Sequence, residues 1–463
     1  MKTLLRAIAL TLAVSTFLRA VTSVAFAWDV WYYHLPFAAR IAGVVPASVF
    51  AFHPANEHRF RGFPLLGEAL QGFLWRATGR PEAANLVAWG SLAVYVAFLR
   101  GMFRVPWHLT TIALLAIPLV MTHATSGYVD LPANLAVSAL ILLVYRLWTD
   151  PFSKARGNYV LAILVAAAVA ANMRFQLLPV VALALVVAAP RLMKAQSRII
   201  VLAVACVFAV VVFATPLKNL AVHHNPFYPL RMTLFGIALP GAEGTYSDSP
   251  PSLEHAARPV RFAYSLLEIG IRPLSDDARW TVDQYMHPSP GGNRMGGFFG
   301  AYVVLALAGL GLLVLRDRSR PARGALVVMG VISLVVSFMP QSHELRYYLF
   351  WMIVLVSLCL VLASREGAAT ARLAVSAAAT VVLFAVLLVT RAWFVYPSPY
   401  SFTELLKRKV NAAAIESISE GETVCVSHAP WSILYAPTFH TERPYKVREA
   451  EDTQDCTGAR LLE

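Results

Sequence analysis

Charged residues are scarce in this sequence. Only 14% of its 463 residues are charged and 58% are hydrophobic, whereas a soluble protein carries roughly 25% charged residues. Apolar runs of about 17–22 residues recur along the chain, and each is long enough to cross a hydrocarbon layer of about 30 Å. The composition therefore excludes an ordinary soluble enzyme and predicts an all-α polytopic membrane protein.

The apolar runs predict about eleven transmembrane helices, with the N-terminus inside. In this orientation the even-numbered connections lie inside, and all five of them contain Arg or Lys, as the positive-inside rule requires. Chance would rarely produce such an alternation. The predicted spans lie near residues 4–26, 84–103, 107–125, 131–147, 158–173, 177–190, 199–215, 297–315, 324–339, 346–364 and 372–392.

Acidic residues are fewer than basic ones, 26 against 39, which gives a net charge of +13. The basic residues do not gather on one polar segment, and this argues against nucleic acid as a partner. The bias of Lys and Arg toward inside connections accounts for the excess positive charge.

Two long connections and the C-terminal tail lie outside in this topology. Residues 1–392 form the predicted transmembrane domain, with outer loops at 27–83 and 216–296, and residues 393–463 form a small extracytoplasmic domain. The outer loops are predicted to contain amphipathic helices, one of them within residues 254–273. A short strand at Val424–Val426 follows a helix-like segment, so the tail is predicted to have α/β character.

Cysteine is rare, with four residues in the chain. Cys206 and Cys359 lie within predicted spans and are interpreted as apolar filler. Cys425 and Cys456 lie in the tail, which an outside location would place in an oxidising compartment. A disulfide between these two residues and a pair of free thiols both remain open from sequence.

The first apolar run has two interpretations. Residues 1–27 have a basic start, an apolar stretch and Ala25-Phe26-Ala27, which together resemble a signal peptide with its cleavage site. Arg19 interrupts the apolar stretch, which is also longer than in most signal peptides. A retained helix is therefore favoured, and in either case residue 28 emerges outside.

Two isolated carboxylates lie at outer ends of predicted spans. Asp29 directly follows the first span and is flanked by Trp28, Trp31, Tyr32 and Tyr33. Asp130 follows the third span and precedes Pro132, so it could cap the next helix. A solvated carboxylate in an interfacial aromatic belt is the ordinary interpretation of Asp29, but a second such carboxylate on the same face favours a functional role.

Several short motifs follow one another on the predicted outer side of the chain. They are Asp29 followed by Tyr32-Tyr33-His34, Arg61–Leu65 with Gly79-Arg80-Pro81, Tyr128–Pro132, Asn225–Pro229, the glycine-rich run 291–300, and Glu344–Tyr348. In their order and common side, these motifs resemble the GT-C glycosyltransferases, in particular the branch with protein O-mannosyltransferases and the aminoarabinose transferase of lipid A. The resemblance spans roughly residues 1–365.

The resemblance implies transfer of a sugar from a polyprenyl-phosphate carrier to an extracytoplasmic lipid, glycan or protein, usually with inversion. It implies that Asp29 is the general base and that Asp130 orients the acceptor, the base or a metal. No cofactor is predicted with certainty, and a divalent metal ion with unknown ligands stays open. A leaving phosphate requires cations, and the predicted phosphate-binding residues are Arg346, Arg174, Arg61 and Lys218. The predicted substrate-binding residues are Tyr33, His34, His343 and Tyr347.

Two other functions are compatible with a polytopic membrane protein. A flippase or transporter of lipid-linked sugars should show charged residues deep within several spans or paired broken helices, whereas most spans here lack charge in their middles. A polysaccharide ligase or polymerase of another branch should gather its key Arg and His residues in one late outer loop. Abundant Ala, Val and Arg suggest a bacterial inner-membrane protein whose site faces the periplasm or exterior, with membrane lipid as a neighbour.

Overall fold

The computed structural model is mostly helical. It describes residues 2–150, 156–195, 206–234, 236–244, 255–267, 298–365, 369–389, 400–440 and 443–462. The first ten helices are α1 Lys2–Thr22, α2 Leu35–Ile41, α3 Pro54–Gly62, α4 Leu66–Thr78, α5 Leu86–Phe103, α6 Trp107–Leu115, α7 Pro118–His123, α8 Asp130–Thr149, α9 Arg156–Ala171 and α10 Leu178–Ala195. The later helices are α11 Cys206–Val212, α12 Ala214–His223, α13 Arg258–Leu267, α14 Phe298–Arg316, α15 Arg320–Phe338, α16 Phe350–Ala363, α17 Ala369–Val389, α18 Phe402–Lys409 and α19 Ala412–Glu416.

Six helices in the described residues are long and apolar enough to cross a membrane, or seven if the bent pair α11 and α12 forms one span. Helices α9 and α16 are apolar but shorter. The predicted span 107–125 is instead two helices, α6 and α7, which meet at Pro118. Proline has no N–H to continue the helical hydrogen bonds, so the chain breaks there. The count of about eleven spans stays a prediction.

Helix α8 lies at the centre of the helical core. It packs against α5, α9, α10, α15 and α16, and its apolar side chains are buried along almost its whole length. Helix α16 is also buried on every side, which explains why its sequence is apolar all round. Asp130 is the first residue of α8, so its carboxylate lies at one end of this central helix.

The amphipathic segment predicted over residues 254–273 contains helix α13, and residues 268–273 lie outside the described residues. Phe262 and Leu266 on its apolar side are buried. They face protein, because α13 packs against α14 and α15. The part of the predicted outer loop at 245–254 and 268–297, with most of its glycine-rich run, also lies outside the described residues.

The C-terminal segment forms a small parallel sheet that includes a strand from the first outer loop. The strands are β1 Phe50–Ala51, β4 Thr423–Val426, β5 Lys446–Glu449 and β6 Arg460–Leu462, in the order β1-β5-β4-β6, and a separate hairpin joins β2 Met232–Leu234 to β3 Ile237–Leu239. Phe50 is in register with Val447 across the β1–β5 pair. A disulfide joins Cys425 in β4 to Cys456. The sequence prediction begins the C-terminal domain at residue 393, so it does not include strand β1, which the first outer loop contributes to the sheet.

A buried carboxyl at the end of β5 makes stability depend on pH. Glu449 accepts hydrogen bonds from the His53 backbone N–H at 3.0 Å and from Asn56 Nδ2 at 3.1 Å, and burial raises its pKa from 4.5 to about 7. The folded protein therefore keeps a proton that the unfolded chain releases, so the free energy of unfolding falls as pH rises from 4.5 to about 7. Glu449→Gln mimics the protonated carboxyl and is expected to gain up to about 3 kcal/mol over wild type across this range.

Thermal unfolding of the purified protein at about pH 5 and about pH 8 tests this expectation. The difference in Tm between Glu449→Gln and wild type should widen at the higher pH. Glu422→Gln is a suitable control, because Glu422 pairs with Arg460 elsewhere in the same sheet region. Equal pH dependence of Glu449→Gln and wild type would show that Glu449 titrates normally.

Candidate functional site

Two predicted site residues from opposite ends of the chain form an ion pair. Asp29 Oδ2 accepts a hydrogen bond from Arg346 Nη1 at 2.8 Å, although the residues are 317 positions apart. Their side chains are 20% and 23% exposed, so the pair is partly open to solvent. The structure therefore brings together Asp29, the predicted base, and Arg346, a predicted phosphate-binding residue.

Asp29 is held by the unusual turn that follows it. Residues Val30–His34 form a single π-helical turn, and the Leu35 N–H donates to the Val30 carbonyl. Pro36 has no N–H for the Tyr32 carbonyl four residues earlier. Asn56 Nδ2 donates to that carbonyl instead, at 3.2 Å. Single π-turns are frequent at functional sites. Here Pro36, which comes after the turn in the sequence, prevents regular α-helical hydrogen bonding and so accounts for the turn.

A glycine allows the Asp29 segment to approach the loop before α8. A Cβ at Gly127 would lie 2.8 Å from Val30 Cγ1, so only glycine permits this distance without a shift. Asn85 Nδ2 also donates to the carbonyls of Ala20 and Ser23 and secures the end of α1. These contacts hold the Asp29 segment against the loop that leads to Asp130.

Asn134 of α8 holds the backbone around Arg346. Its Nδ2 donates to the Arg346 carbonyl at 3.0 Å, and its Oδ1 accepts from the Phe350 N–H at 2.8 Å. Helix α16 consequently begins at Phe350, and the sequence prediction that Arg346 opens this helix is four residues early. Arg346 lies in the preceding turn, where its guanidinium donates to the hydroxyls of Tyr128 at 3.3 Å and Tyr347 at 3.1 Å.

A second carboxylate–guanidinium pair lies deeper. Arg174 Nη2 donates to Asp130 Oδ2 at 2.6 Å, and the Asp130 side chain is 0% exposed. Val129 and not Asp130 is the N-cap of α8, and Asp130 Oδ1 has no hydrogen-bond partner among the described residues, which differs from the capping interpretation. Burial alone would lower the pKa of Arg174, but the Asp130 charge outweighs it and raises the pKa. Arg174 therefore stays charged.

The ring of Tyr347 connects the two pairs. The guanidinium carbon of Arg346 lies 5.0 Å from the ring centroid and that of Arg174 lies 5.4 Å from it. Both are within the range of a cation–π contact. The Nε atoms of both arginines are buried and take no hydrogen-bond partner among the described residues. Such spare guanidinium donors are what a phosphate would require.

Tyr33 and His34 line the same region. Burial, with the neighbouring Asp29 charge, raises the pKa of Tyr33 well above its ordinary value, so the phenol remains protonated and can donate. His34 Nδ1 is 2.7 Å from Glu68 Oε1, with both side chains almost fully buried. His34 Nε2 takes no partner among the described residues and lies on the ring that faces Tyr128.

Three predicted residues are not among these contacts. Arg61 is exposed and pairs with Glu57 at 2.9 Å within helix α3. Lys218 donates to the Arg61 carbonyl at 2.5 Å, so these two cations form a separate group on the surface. His343 is buried in the turn before Arg346. Of the four predicted phosphate ligands, Arg346 and Arg174 form the ion pairs with Asp29 and Asp130.

Sequence reasoning missed Glu68, Gln71 and Asn134. Glu68 supports His34, and Gln71 Nε2 donates to the Gly127 carbonyl at 2.6 Å. A signal existed for the first two, because they lie three residues apart in the apolar helix α4 and so share one face. Asn134 lies one turn after Asp130 within an apolar span, where a polar residue suggests a specific partner.

Within the described parts of the chain, no group of three His, Cys, Asp or Glu side chains is arranged to hold a metal ion. We therefore assign no metal ligand at this site. The chemistry that the described residues offer is a carboxylate for accepting a proton and two guanidinium groups for stabilising negative charge.

Comparison with known proteins identifies a related fold. No family model and no curated protein matches the sequence. Among solved structures, ArnT from Cupriavidus metallidurans in the apo state has a TM-score of 0.56 at 13% identity, covering 99% of this chain and 88% of that chain. ArnT bound to undecaprenyl phosphate has a TM-score of 0.55 at 14% identity, covering 96% and 85%. The predicted resemblance is thus confirmed at the level of the fold, because the chain is folded like ArnT over nearly its whole length.

Proposed function

We propose that this protein is a membrane glycosyltransferase that moves a sugar from a polyprenyl-phosphate carrier to an extracytoplasmic acceptor. The observation that carries the proposal is the 2.8 Å pair of Asp29 and Arg346 within an ArnT-like fold. One ArnT structure contains undecaprenyl phosphate, which supports a carrier of this class for the present chain. The pair supplies the two groups that the transfer needs, a base and a cation for the leaving phosphate.

Asp29 is the proposed general base. The acceptor hydroxyl transfers its proton to the Asp29 carboxylate while its oxygen bonds to the anomeric carbon of the sugar. The bond between that carbon and the phosphate oxygen breaks, and polyprenyl phosphate leaves. A single displacement of this kind inverts the anomeric configuration and needs no enzyme nucleophile. Asp130 is proposed to orient Arg174 through its 2.6 Å contact.

Arg346 and Arg174 are the proposed ligands of the donor phosphate. Their unpartnered Nε atoms are donors that a phosphate oxygen can use. Phosphate binding at Arg346 also competes with Asp29 for the same guanidinium, because the carboxylate occupies Nη1. Donor binding would then release Asp29 to accept a proton. Tyr33, His34, His343 and Tyr347 would line the sugar.

The proposed location is the bacterial inner membrane, with about eleven spans and the site on the periplasmic or exterior face. The basic inside connections support this orientation. The Cys425–Cys456 disulfide supports an oxidising compartment for the C-terminal segment. Both observations support an outside location for the face that carries the candidate site.

A transfer assay tests the proposed function. Purified protein in lipid vesicles would receive a panel of radiolabelled polyprenyl-phosphate sugars, with membrane extract as the source of acceptor. We expect label to move from one donor to an acceptor, with release of polyprenyl phosphate. No transfer from any donor, together with movement of intact lipid-linked sugar across the vesicle membrane, would identify a flippase and contradict the proposal.

Arg346 should control affinity for the carrier phosphate. Arg346→Gln removes the charge, and a hydrogen bond with a charged group contributes about 1.5–3 kcal/mol, so we expect binding of polyprenyl phosphate to weaken about 10- to 100-fold. The measurement is titration of polyprenyl phosphate into purified protein. Arg61→Gln is the matched control, because Arg61 was predicted from sequence but is 64% exposed and pairs with Glu57. A larger loss for Arg61→Gln than for Arg346→Gln would move the phosphate site to the surface.

A further inference from the structure

We propose that Glu451 in the C-terminal segment is a positioning residue for Asp29, acting through its hydrogen bond with Tyr32. This inference deepens the proposed function and rests on it. Tyr32 lies three residues after Asp29 on the π-turn, and its hydroxyl donates to Glu451 Oε1 at 2.5 Å. The contact joins residues 419 positions apart and connects the small sheet region with the turn that carries the base.

The side chains of the π-turn divide between two sides, with Trp31 and Tyr32 on one side and Tyr33 and His34 on the other. Tyr33 and His34 face the ion pairs and Tyr128. Trp31 and Tyr32 face the C-terminal segment, where the Trp31 ring stacks on Phe402 with centroids 5.9 Å apart and an interplanar angle of 6°. The turn therefore lies between the reacting groups and the C-terminal segment, so displacement on one side moves the other.

A second connection joins the backbone of the turn to the sheet. Asn56 is fully buried, and its Nδ2 donates to the Tyr32 carbonyl at 3.2 Å and to Glu449 Oε2 at 3.1 Å. Glu449 is the last residue of β5, two residues before Glu451. Tyr32 is thus held at its hydroxyl by Glu451 directly and at its carbonyl by Asn56, which is itself bonded to Glu449.

Glu451 is itself held in place. Its backbone N–H donates to Asp455 Oδ2 at 3.2 Å, and its carbonyl accepts from Ser427 Oγ at 3.3 Å. Asp455 precedes Cys456, which the disulfide joins to β4. His53 Nδ1 lies 3.5 Å from the Glu451 carboxylate. These contacts fix the backbone of Glu451, so its carboxylate, which is 47% exposed, extends from a held segment toward Tyr32 and His53.

Burial and the Glu451 hydrogen bond both raise the pKa of Tyr32, so the phenol keeps its proton and donates. Arg59 and Glu449 also act on Tyr32. The guanidinium carbon of Arg59 lies 5.5 Å from the Tyr32 ring centroid, and Arg59 forms a two-pronged pair with Glu243. Arg59 therefore supports the ring, while Glu451 directs the hydroxyl.

The test uses the full chain in the transfer assay and compares Tyr32→Phe, Glu451→Ala and the double variant. Small displacements of reacting groups can lower rates by up to about 10²-fold. We expect kcat to fall about tenfold in each single variant with KM for the donor unchanged, because the contact acts on the base and leaves Arg346 alone. The double variant should be no slower than the slower single variant, because both remove the same contact.

Two further variants separate positioning from general destabilisation. Glu451→Gln keeps an oxygen that accepts the Tyr32 hydrogen bond, so it should restore most of the rate. Glu422→Ala breaks the 3.0 Å pair with Arg460 in the same sheet region but does not contact the π-turn, so kcat should equal that of wild type. If Glu451→Ala fails to fold, the test is made with Tyr32→Phe alone. This substitution removes only the hydroxyl that donates to Glu451.

The outcomes separate this inference from the proposed function. Transfer by wild type with unchanged kcat in Tyr32→Phe and Glu451→Ala would overturn the positioning role and leave the glycosyltransferase function standing. Loss of rate to the same extent in Glu422→Ala would also overturn it, because the effect would then be general. No transfer by wild type from any donor would overturn the proposed function, and with it this inference.

Discussion

Replacing Asp29 by asparagine is expected to lower kcat for sugar transfer by about 10²- to 10⁴-fold, the range of general base catalysis. Asparagine has the shape of aspartate, and its side-chain oxygen can still accept the hydrogen bond from Arg346 Nη1. The geometry should therefore persist while the capacity to accept a proton is lost. Affinity for the donor should not fall, because the neutral asparagine competes less strongly than the carboxylate for Arg346, and steady-state kinetics measured over a range of donor concentrations would separate the two parameters.

Two control variants sharpen this prediction. Asp29→Glu keeps a carboxylate and should retain part of the activity. Asp317→Asn is the matched control, because Asp317 also pairs with an arginine, Arg365, at 3.7 Å, but in the connection between α14 and α15. Equal kcat for Asp29→Asn and Asp317→Asn would remove Asp29 as the base, and Asp130 would then be the next candidate to test.

Replacing Arg174 by alanine is expected to destabilise the fold by about 3–5 kcal/mol, the usual effect of removing one partner from a buried ion pair. Asp130 would remain as an uncompensated charge with a fully buried side chain. The position at the N-terminus of α8 offers some stabilisation, but Asp130 Oδ1 has no hydrogen-bond partner among the described residues. Thermal unfolding of purified protein in detergent, followed by tryptophan fluorescence, measures the loss.

The double variant Arg174→Gln/Asp130→Asn is the informative comparison. It removes both charges and keeps two groups that can bond to each other, so it should be more stable than Arg174→Ala. Arg61→Ala serves as the surface control, since exposed ion pairs contribute about 0–1 kcal/mol. A Tm for Arg174→Ala as high as that for Arg61→Ala would mean that water reaches Asp130 when the arginine is absent.

Much of the fold was predictable from two properties of the sequence. The length of the apolar runs indicates membrane-spanning helices, and the asymmetry of Lys and Arg indicates their orientation. The apolar runs correspond to helices, since a chain in hydrocarbon must satisfy its backbone hydrogen bonds internally. Pro118 shows the limit, because a run that reads as one span is two helices. The strand Phe50–Ala51 has only two residues, and its pairing with β5 depends on contacts hundreds of residues away, which no local pattern contains.

The candidate site was predictable in its residue types but not in its pairings. Asp29 and Asp130 were conspicuous as isolated carboxylates, yet their partners lie 317 and 44 residues away in the sequence. From the sequence, Arg61 and Arg346 were both predicted to bind phosphate, because both are cations on the predicted outer face. Only the fold separates them: Arg346 turns toward Asp29, held by Asn134, and Arg61 remains on the exposed side of α3.

The measurement that tests the central claim most directly is photo-crosslinking of a polyprenyl phosphate that carries a photoreactive group next to its phosphate. The account predicts labelling of peptides that contain Arg346 or the segment around Asp29 and Asp130, with competition by unlabelled polyprenyl phosphate and loss of labelling in Arg346→Gln. Labelling confined to peptides that contain Arg61 or Lys218, unaffected by Arg346→Gln, would place the carrier phosphate on the outer surface and contradict the account.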